Sequence, residues 1–463
     1  MNYATVMVKL IKYCLILIAI TGSLPVLGQK ADSLLTLPQC LDIAIKNNLT
    51  VRQTDRDAQS AGIDLRQAKE NLFPNIGAYA SRTFNQGRAI SPITNAYVNQ
   101  SATNDSYSLS GSMTLFNGFS LINAVKSASL AYQAGKLDLQ AAKDVVVVNV
   151  ITNYLAILDN QEVLAASKNQ LAAQQETVNR MEVLEQQGAN KAASDLTDQK
   201  GELDGNKVAV VNAQNNLDAS KLALYELMNI PFEPNKQFQT LNAQDLTGSY
   251  GSDPEKAYQI ALQQFAAVKA AELRRQSAQK YLASVKGELF PALSLNGGLG
   301  TAYSNGATRS VVIDPTTTIT EQVPYSDQFK NNYTSYVGLG LNIPIFFNGV
   351  RRNSVAKAKL LLLNSRDVED NVKIKLRQSV EQGYFDMTAA YKRYQALAEQ
   401  VKAYTESYRI YKIRFDSGVL TSVDLIIAKD KLDAASLNLI SAKYDYFIDS
   451  KIFDYYQGKL AAF

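Results

Sequence analysis

The chain has 463 residues, of which 46% are hydrophobic and 19% charged, with a formal net charge of +4. This composition is typical of a folded chain with a large apolar surface and excludes an intrinsically disordered one. No run of lysine and arginine is long enough to form a nucleic-acid patch, so no nucleic-acid partner is indicated.

Histidine is absent from the sequence, which removes the commonest general base and metal ligand. The phosphate-binding pattern G-x-x-x-x-G-K-[ST] is also absent, so no nucleotide hydrolysis by the chain itself is indicated. We therefore expect no enzyme and neither a cofactor nor a metal. A Ser/Lys or a two-carboxylate active site stays open, although no motif points to one.

The first 28 residues have the pattern of a secretory signal peptide. Two lysines precede an apolar stretch that ends with Val26 and Gly28 at the −3 and −1 positions of a cleavage site. The stretch is too short to span a membrane as a mature helix, so we expect export and removal rather than a retained anchor. Cys40 would then be the single cysteine, and we place it in a helix and not at a lipidated N-terminus.

Two short segments of the chain occur twice. The stretch "LFPNIGAYAS" at 72–81 returns as "LFPALSLNGG" at 289–298, and "LFNGF" at 115–119 returns as "FFNGV" at 346–350. Such periodicity predicts two tandem structural repeats, residues 29–230 and 253–463, joined by a linker at 231–252. Each repeat is expected to begin with a helix.

Apolar residues recur every seven positions over long parts of both repeats. The series are Leu196, Leu203, Val210, Leu217 and Leu224; Leu425, Leu432, Leu439, Tyr446 and Phe453; Ile157, Leu164, Leu171 and Val178; and Met387, Tyr394, Val401 and Tyr408. This period predicts coiled-coil packing, with an ordinary amphipathic helix as the alternative. Each repeat should contain a long helical hairpin, with tips near 188–195 and 418–424; the first helix would run from Phe119 to about Gln187.

Alternating segments precede each hairpin, as in "SLSGSMTLF" and "YVGLGLNIPIF". A period of two with small polar partners is typical of strands that face lipid on one side and water on the other, although a soluble half-buried strand has the same pattern. We predict strands at about 75–88, 106–117, 291–304 and 334–347, with polar loops at 85–105 and 304–332. No run of 18 apolar residues follows residue 28, so no membrane-spanning helix is expected.

Four strands cannot close a barrel, and an open sheet edge is not tolerated in lipid. Closure must come from further copies of the chain. Because the smallest barrels have about eight strands, at least two copies are required.

Four strands and two long helical hairpins in tandem copies resemble the outer membrane efflux protein family, the TolC-like channels. The repeated segments and the tips "EQQGANKAASDL" and "FDSGVLTSVDL" carry the resemblance, which covers about residues 36–460. It implies an α+β membrane protein: a homotrimer with a twelve-stranded β-barrel in the outer membrane, continued by a long α-helical coiled-coil tunnel in the periplasm.

The resemblance also implies a function. The chain would be the outer membrane channel of a tripartite efflux or type I secretion system, conducting substrates passively. Its partners would be a periplasmic adaptor (membrane fusion) protein and an inner-membrane pump. The alternative is a trimeric coiled-coil surface or structural protein with a barrel anchor. In such a protein the strands would lie together at one end of the chain, whereas here they interrupt each repeat.

The resemblance further implies a periplasmic aperture lined by aspartate rings. Asp424 matches the first of two ring positions, the second position is Ile427, and Asp195 matches more loosely in the first repeat. The alternative for either aspartate is a helix cap or first-turn residue.

Other tip positions depart from the family or match it only as turns. Leu420 and Phe415 stand where some members have an arginine and a tyrosine that form a polar latch, so that latch is in doubt. Gly188 and Gly418 match the tip glycines at which adaptors dock, and a simple turn glycine is the alternative for both.

Overall fold

The computed structural model of the protein describes residues 34–90, 95–187, 193–240 and 253–459. The first half contains α1 (Leu37–Asn47), α2 (Leu49–Glu70), β1 (Asn75–Ile90), β2 (Tyr97–Asn117), α3 (Ser120–Gln186) and α4 (Ala193–Met228). The second contains α5 (Pro254–Gln264), α6 (Ala266–Gly287), β3 (Ala292–Ser304), β4 (Thr308–Asp314), β5 (Thr317–Gln322), α7 (Tyr325–Asn331), β6 (Thr334–Asn342), α8 (Val350–Asp416) and α9 (Ser422–Tyr456). The predicted signal peptide at 1–28, the tip residue Gly188 and residues 241–252 of the predicted linker lie outside the described residues.

The chain forms two compact units that do not coincide with the predicted repeats. The first contains the described residues of 1–44, 150–247 and 403–441, and the second those of 45–149, 248–402 and 442–463. Among the described residues, the boundaries fall inside α1, α3, α8 and α9. Each repeat therefore contributes to both units, because its long helices pass through the boundary without a break.

Helices α3 and α8 have 67 residues each. At about 1.5 Å per residue, each is roughly 100 Å long. The residues at the seven-residue spacing are buried or half-buried. The buried ones are Ile157, Leu164, Val178, Leu203, Leu217, Leu224, Met387, Leu425, Tyr446 and Phe453. The periodicity thus marks the packed faces of the helices, as coiled-coil packing requires.

One stretch of α3 is long and apolar enough to cross a membrane, by length and composition alone. The sequence analysis expected no such helix. In the first unit, Val150, Leu155 and Leu158 of α3 are buried, and the Tyr154 ring lies edge-on to Phe238 at 5.8 Å. Tyr154 also donates a hydrogen bond to the Gln239 carbonyl at 2.8 Å. Packing of this kind accounts for the apolar composition of α3, since the core helix of a soluble protein can be equally long and apolar.

The second unit contains an antiparallel sheet with the strand order β1-β2-β3-β6. Its register places Ala78 opposite Leu109, Leu109 opposite Leu299, and Leu295 opposite Leu339. Because successive side chains alternate between faces, one face is apolar: Ile76, Ala78, Leu109, Met113, Leu295, Leu299, Val337, Leu339 and Leu341. The other face carries Ser106, Ser108, Ser110, Ser112, Ser294 and Asn296. Most of the apolar face is exposed, with Val337 at 82%.

The outer strands end where their partners end. β6 stops at Asn342, short of the predicted 347, because its partner β3 begins opposite it at Ala292 and Pro344 has no N–H to donate. β1 and β2 instead extend to Ile90 and from Tyr97, so much of the predicted loop 85–105 is strand.

The second predicted loop, 304–332, also contains regular structure. It holds the hairpin β4–β5 and the short helix α7. Its polar, turn-rich composition concealed them, and the hairpin itself is mostly exposed. The α7 ring of Phe329 lies 5.9 Å from Tyr107 and so packs on the sheet.

The two Asn-Gly turns lead from the sheet into α3 and α8. Gly118 and Phe119 have φ values of 63° and 62°, and Asn348 and Gly349 have 47° and 74°. A side chain on Gly118 would also collide with the Gly287 carbonyl oxygen of α6. The first turn therefore requires glycine both for its left-handed backbone and for the close approach of α6.

Stability of the second unit should depend on the pH through Asp449 of α9. Burial raises the pKa of Asp449 to about 6, and the carboxylates of Asp386 and Asp445 contribute to the rise; Arg393 lies 3.4 Å from Asp445. Because the pKa of Asp449 is higher in the folded state than in the unfolded state, protonation of Asp449 favours folding. This contribution to stability is fully present below about pH 4 and is lost as the pH rises through about 6. We expect Asp449→Asn to be more stable than the unaltered chain at pH 7.5, by about 1 kcal/mol for this half-exposed group.

Denaturant unfolding at pH 4 and pH 7.5 measures this effect. The control is Asp370→Asn, at an exposed position of α8, which should leave the pH dependence unchanged. An Asp449→Asn variant that loses as much stability between the two pH values as the unaltered chain contradicts the expectation.

Candidate functional site

The turn between α8 and α9 is built from local stop signals. Gly418 has a φ of 74°. Its N–H donates to the Phe415 carbonyl at 2.9 Å, and the Val419 N–H donates to the Arg414 carbonyl at 2.9 Å. This pair of bonds is the Schellman motif, which needs a left-handed residue at the position of Gly418. A turn role is thus sufficient to explain Gly418, and its role in adaptor docking stays a prediction.

Asp424 closes the first turn of α9. Its carboxylate accepts hydrogen bonds from the Thr421 backbone N–H at 3.3 Å and hydroxyl at 2.7 Å. The Asp424 N–H lies 3.4 Å from the Thr421 hydroxyl oxygen, so the two residues form a reciprocal capping box. Asp424 therefore acts as a helix-start residue, and lining an aperture would be a second role of the same side chain.

Phe415 lies in a small core below these caps. It is buried with Met181 and Leu425, and Leu420 packs against the same cluster. Leu420 precedes the cap residue Thr421 and Leu425 follows it by four, the spacing of a hydrophobic staple. The two positions at which the polar latch was in doubt are thus occupied by apolar packing.

A different polar contact joins the two hairpins. The Ser422 hydroxyl donates to the Asp195 carboxylate at 2.6 Å, across 227 residues of sequence. Ser422 is fully buried. Short bonds from a hydroxyl to a carboxylate are among the stronger hydrogen bonds in proteins. Asp195, at the start of α4, is therefore held by α9.

Two carboxyl groups face each other farther along the same helices. Burial raises the pKa of Glu202 on α4, and the charge of Asp430 on α9 raises it further. Burial likewise raises the pKa of Asp430, which Lys429 partly opposes. The contact between α4 and α9 therefore favours the protonated form of Glu202, whereas its hydrogen bond to Asp430 lowers the pKa of Asp430.

The sequence analysis missed Ser422. No local pattern marks it, because its partner lies in the other hairpin and Asp195 was considered only as a ring or cap residue. Gly188 lies outside the described residues, and Ile427 is about half exposed on α9. Within residues 34–90, 95–187, 193–240 and 253–459, no group of three acidic, histidine or cysteine side chains could hold a metal ion.

Comparison with known proteins identifies the family. The profile of the outer membrane efflux protein family matches residues 40–229 and 257–451. The outer membrane protein TolC of Escherichia coli (strain K12) is 22% identical over 421 residues, covering 89% of this chain and 80% of TolC.

Solved structures show the same fold. CusC superposes with a TM-score of 0.76 at 16% identity, covering 91% of both chains. The CmeC outer membrane channel of Campylobacter jejuni gives 0.75 at 18% identity, covering 91% of this chain and 86% of CmeC.

The chain belongs to the outer membrane efflux protein family. This confirms the resemblance read from the repeated segments and hairpin tips, and it identifies a TolC-like protein of the outer membrane.

The bond between Ser422 and Asp195 should hold the starts of α4 and α9 together. Ser422→Ala removes the donor and leaves a partly buried carboxylate without it, so we expect a loss of about 1–2 kcal/mol in unfolding free energy. Amide hydrogen exchange should become faster in the first turns of both α4 and α9.

Ser436→Ala is the matched control, because the Ser436 hydroxyl bonds to the Leu432 carbonyl of its own helix, at 2.7 Å. It should leave exchange in α4 unchanged. Unchanged exchange in α4 of Ser422→Ala would show that the bond does not couple the hairpins.

Proposed function

We propose that the protein is the outer membrane channel of a tripartite efflux or type I secretion system and conducts substrates passively. The observation that carries the proposal is the four-stranded sheet with one apolar and one polar face, attached to helices roughly 100 Å long. Family membership supports the same function, and the relatives are channel proteins rather than enzymes.

The sheet supports a closed oligomer. Its outer strands, β1 and β6, each pair with one neighbour in the described chain. Inside lipid the other edge of each strand needs a partner, because unpaired backbone groups cost several kcal/mol there. Three copies would supply twelve strands, with the apolar faces outward to lipid and the serine-rich faces inward to water.

The long helices support a periplasmic tunnel. A bilayer core is about 30 Å thick, so helices of this length reach far beyond it. Channels of this kind need a separate source of energy, and we assign that role to an inner-membrane pump joined through a periplasmic adaptor protein. The adaptor would dock at the tips, near Gly188 and Gly418.

The narrow end of the tunnel would carry Asp424, with Asp195 and Phe415 close to it in the hairpin tips. Three copies of Asp424 would repel one another and attract cations, an effect that weakens with salt. Ile427 would add an apolar ring next to this charge, and apolar constrictions resist wetting. The Ser422–Asp195 bond would help to keep the tips packed.

Assembly can be tested on adjacent residues of β6. Val337 lies on the apolar face near the middle of the strand, and Gly338 lies on the polar face, with open space around it. We expect Val337→Arg to cost about 2–4 kcal/mol in lipid and to reduce membrane assembly, whereas Gly338→Arg should assemble normally.

Native mass spectrometry of the detergent-extracted protein should then give three chains for the unaltered protein and Gly338→Arg. A stable monomer would contradict the barrel, a dimer would contradict the trimer, and equal assembly of both variants would contradict the assignment of the lipid face.

Conduction can be tested at Asp424. Asp424→Asn removes the charge and keeps a side chain that can still cap α9. We expect lower cation selectivity and weaker block by divalent cations in planar-bilayer recordings. Asp195→Asn should have a smaller effect.

Asp204→Asn is the control, because Asp204 is exposed and paired with Lys207 at 2.8 Å. If Asp424→Asn leaves selectivity and block as they were, Asp424 is only a helix cap.

A further inference from the structure

Helix α7 is held on the four-stranded sheet by a buried glutamine. Gln328 of α7 is 3% exposed. Its side-chain N–H group donates to the Ser304 carbonyl at 2.9 Å, and its side-chain oxygen accepts from the Ser304 N–H at 2.9 Å. The Thr301 hydroxyl donates to the Phe329 carbonyl at 2.7 Å. These bonds fix α7 on the sheet, so the surface beside the helix is preformed.

A groove begins at α7 and crosses the middle of the apolar face of the sheet. It consists of two adjoining hollows, of about 460 and 390 Å³, which share Leu109 and Leu299 as lining residues. Phe329 and Tyr333 line the first hollow, and Gly111 lines the second. Both leucines are exposed. The two hollows together, the α7 groove, thus offer apolar surface that no described residue covers.

The second hollow lies where two glycines face each other. Gly111 of β2 is paired with Gly297 of β3, and strand alternation places both on the apolar face. A Cβ atom on Gly111 would come no closer than 3.6 Å to any neighbouring atom, so packing within the chain does not require glycine there. Glycine inside a strand weakens it and often marks the close approach of a ligand or another backbone. The described residues supply no such backbone, which leaves room for a ligand.

The α7 groove ends in polar groups on the α7 side. The Arg82 guanidinium donates to both Asp105 carboxylate oxygens at 2.7 Å. The Tyr325 hydroxyl donates to the Tyr107 hydroxyl at 3.0 Å. These groups lie toward the end of the sheet that is remote from Asn117, where β2 leads into α3. In the proposed channel the long helices extend into the periplasm, so this polar end lies at the outer leaflet.

We propose that the α7 groove binds one acyl chain of an outer-leaflet lipid, with the lipid headgroup beside Arg82 and Tyr325. The proposal rests on the proposed function, because only a membrane-inserted sheet meets such lipids. The α7 groove is continuous with the apolar face that the barrel would turn to lipid, and its lining is mostly apolar.

Size and rigidity favour a chain that is held in place. A cavity of about 150 Å³ in another protein admits benzene, so each hollow exceeds the size of one ring and the whole groove suits a long chain. Because α7 is already fixed on the sheet, binding requires little ordering of the protein. The chain in the α7 groove is therefore bound more tightly than the lipids that surround the barrel elsewhere.

Two probes with the same headgroup and different chains test the proposal: dimyristoyl and dihexanoyl phosphatidylethanolamine. The full-length protein is extracted in detergent, freed of lipid, titrated with each probe and measured by native mass spectrometry. The dimyristoyl lipid should bind saturably, with one molecule per chain. The dihexanoyl lipid should bind at least about tenfold more weakly, since burial of two CH₂ groups is already worth about that factor.

Gly111→Leu fills the second hollow. Its Cβ atom makes only ordinary contacts, so the sheet should form as before. We expect the dimyristoyl lipid to bind at least about tenfold more weakly, because room for several CH₂ groups is lost. Gly338→Leu is the matched control, since it makes the same change on the polar face, with open space around Gly338. It should bind the lipid as the unaltered chain does.

Equal affinities for the two probes would overturn the proposal, and so would dimyristoyl lipid that accumulates without saturating at one molecule per chain. An assembled Gly111→Leu variant with unchanged affinity would place the lipid elsewhere and overturn it as well. If Gly111→Leu fails to assemble, the comparison of the two probes on the unaltered protein decides.

The same spectra separate this proposal from the proposed function. The number of chains tests the closed barrel, whereas the number of bound lipids tests the α7 groove, which lies within a single chain. A trimer that binds no lipid would overturn the groove proposal and leave the channel in place. A monomer that binds one dimyristoyl lipid would contradict the barrel and support acyl-chain binding by the groove.

Discussion

In the proposed channel, the need to satisfy backbone hydrogen bonds inside lipid governs the architecture of the protein. A sheet of four strands has an apolar face of exposed leucine, valine and isoleucine, yet β1 and β6 each retain an open edge in the described chain. Water can satisfy such an edge, whereas hydrocarbon cannot. The apolar face and the open edges can therefore both be accommodated in a membrane only when further copies complete the sheet.

Two Asn-Gly turns connect the sheet to the long helices. The Asn-Gly turns end β2 and redirect the extended segment after β6 into helices of 67 residues, and the first of these turns is fixed by its contact with α6. The helices carry their apolar residues on packed faces. The sheet thus follows a sequence period of two residues, which suits a lipid boundary. The helices follow a period of seven residues, which suits helix packing.

Much of this organisation could be predicted from the sequence. The seven-residue series mark buried positions such as Leu224 and Phe453, and the strand at 292–304 lies within one residue of its predicted start. These features depend on local periodicity, which the sequence displays directly. The hairpin β4–β5 was missed because its residues are mostly exposed, so burial imposes no clear period on its sequence.

The tips show the limit of local reasoning. The capping box of Asp424 follows from the spacing of Thr421 and Asp424, and a helix cap or first-turn residue was the alternative considered for Asp424. The bond from Ser422 to Asp195 depends on how two distant helices pack. Nothing in the neighbouring sequence indicates it, since the two residues are 227 positions apart in the chain.

The stop and start signals of the α8–α9 turn have a consequence for folding kinetics. Gly418, Leu420, Thr421 and Asp424 are all satisfied by residues no more than five positions away, so this turn can form within microseconds of synthesis. The pairing of Leu109 with Leu299 must instead close a loop of 190 residues. Formation of such distant contacts is slow. The α8–α9 turn should therefore acquire its shape first, and the four-stranded sheet should form late.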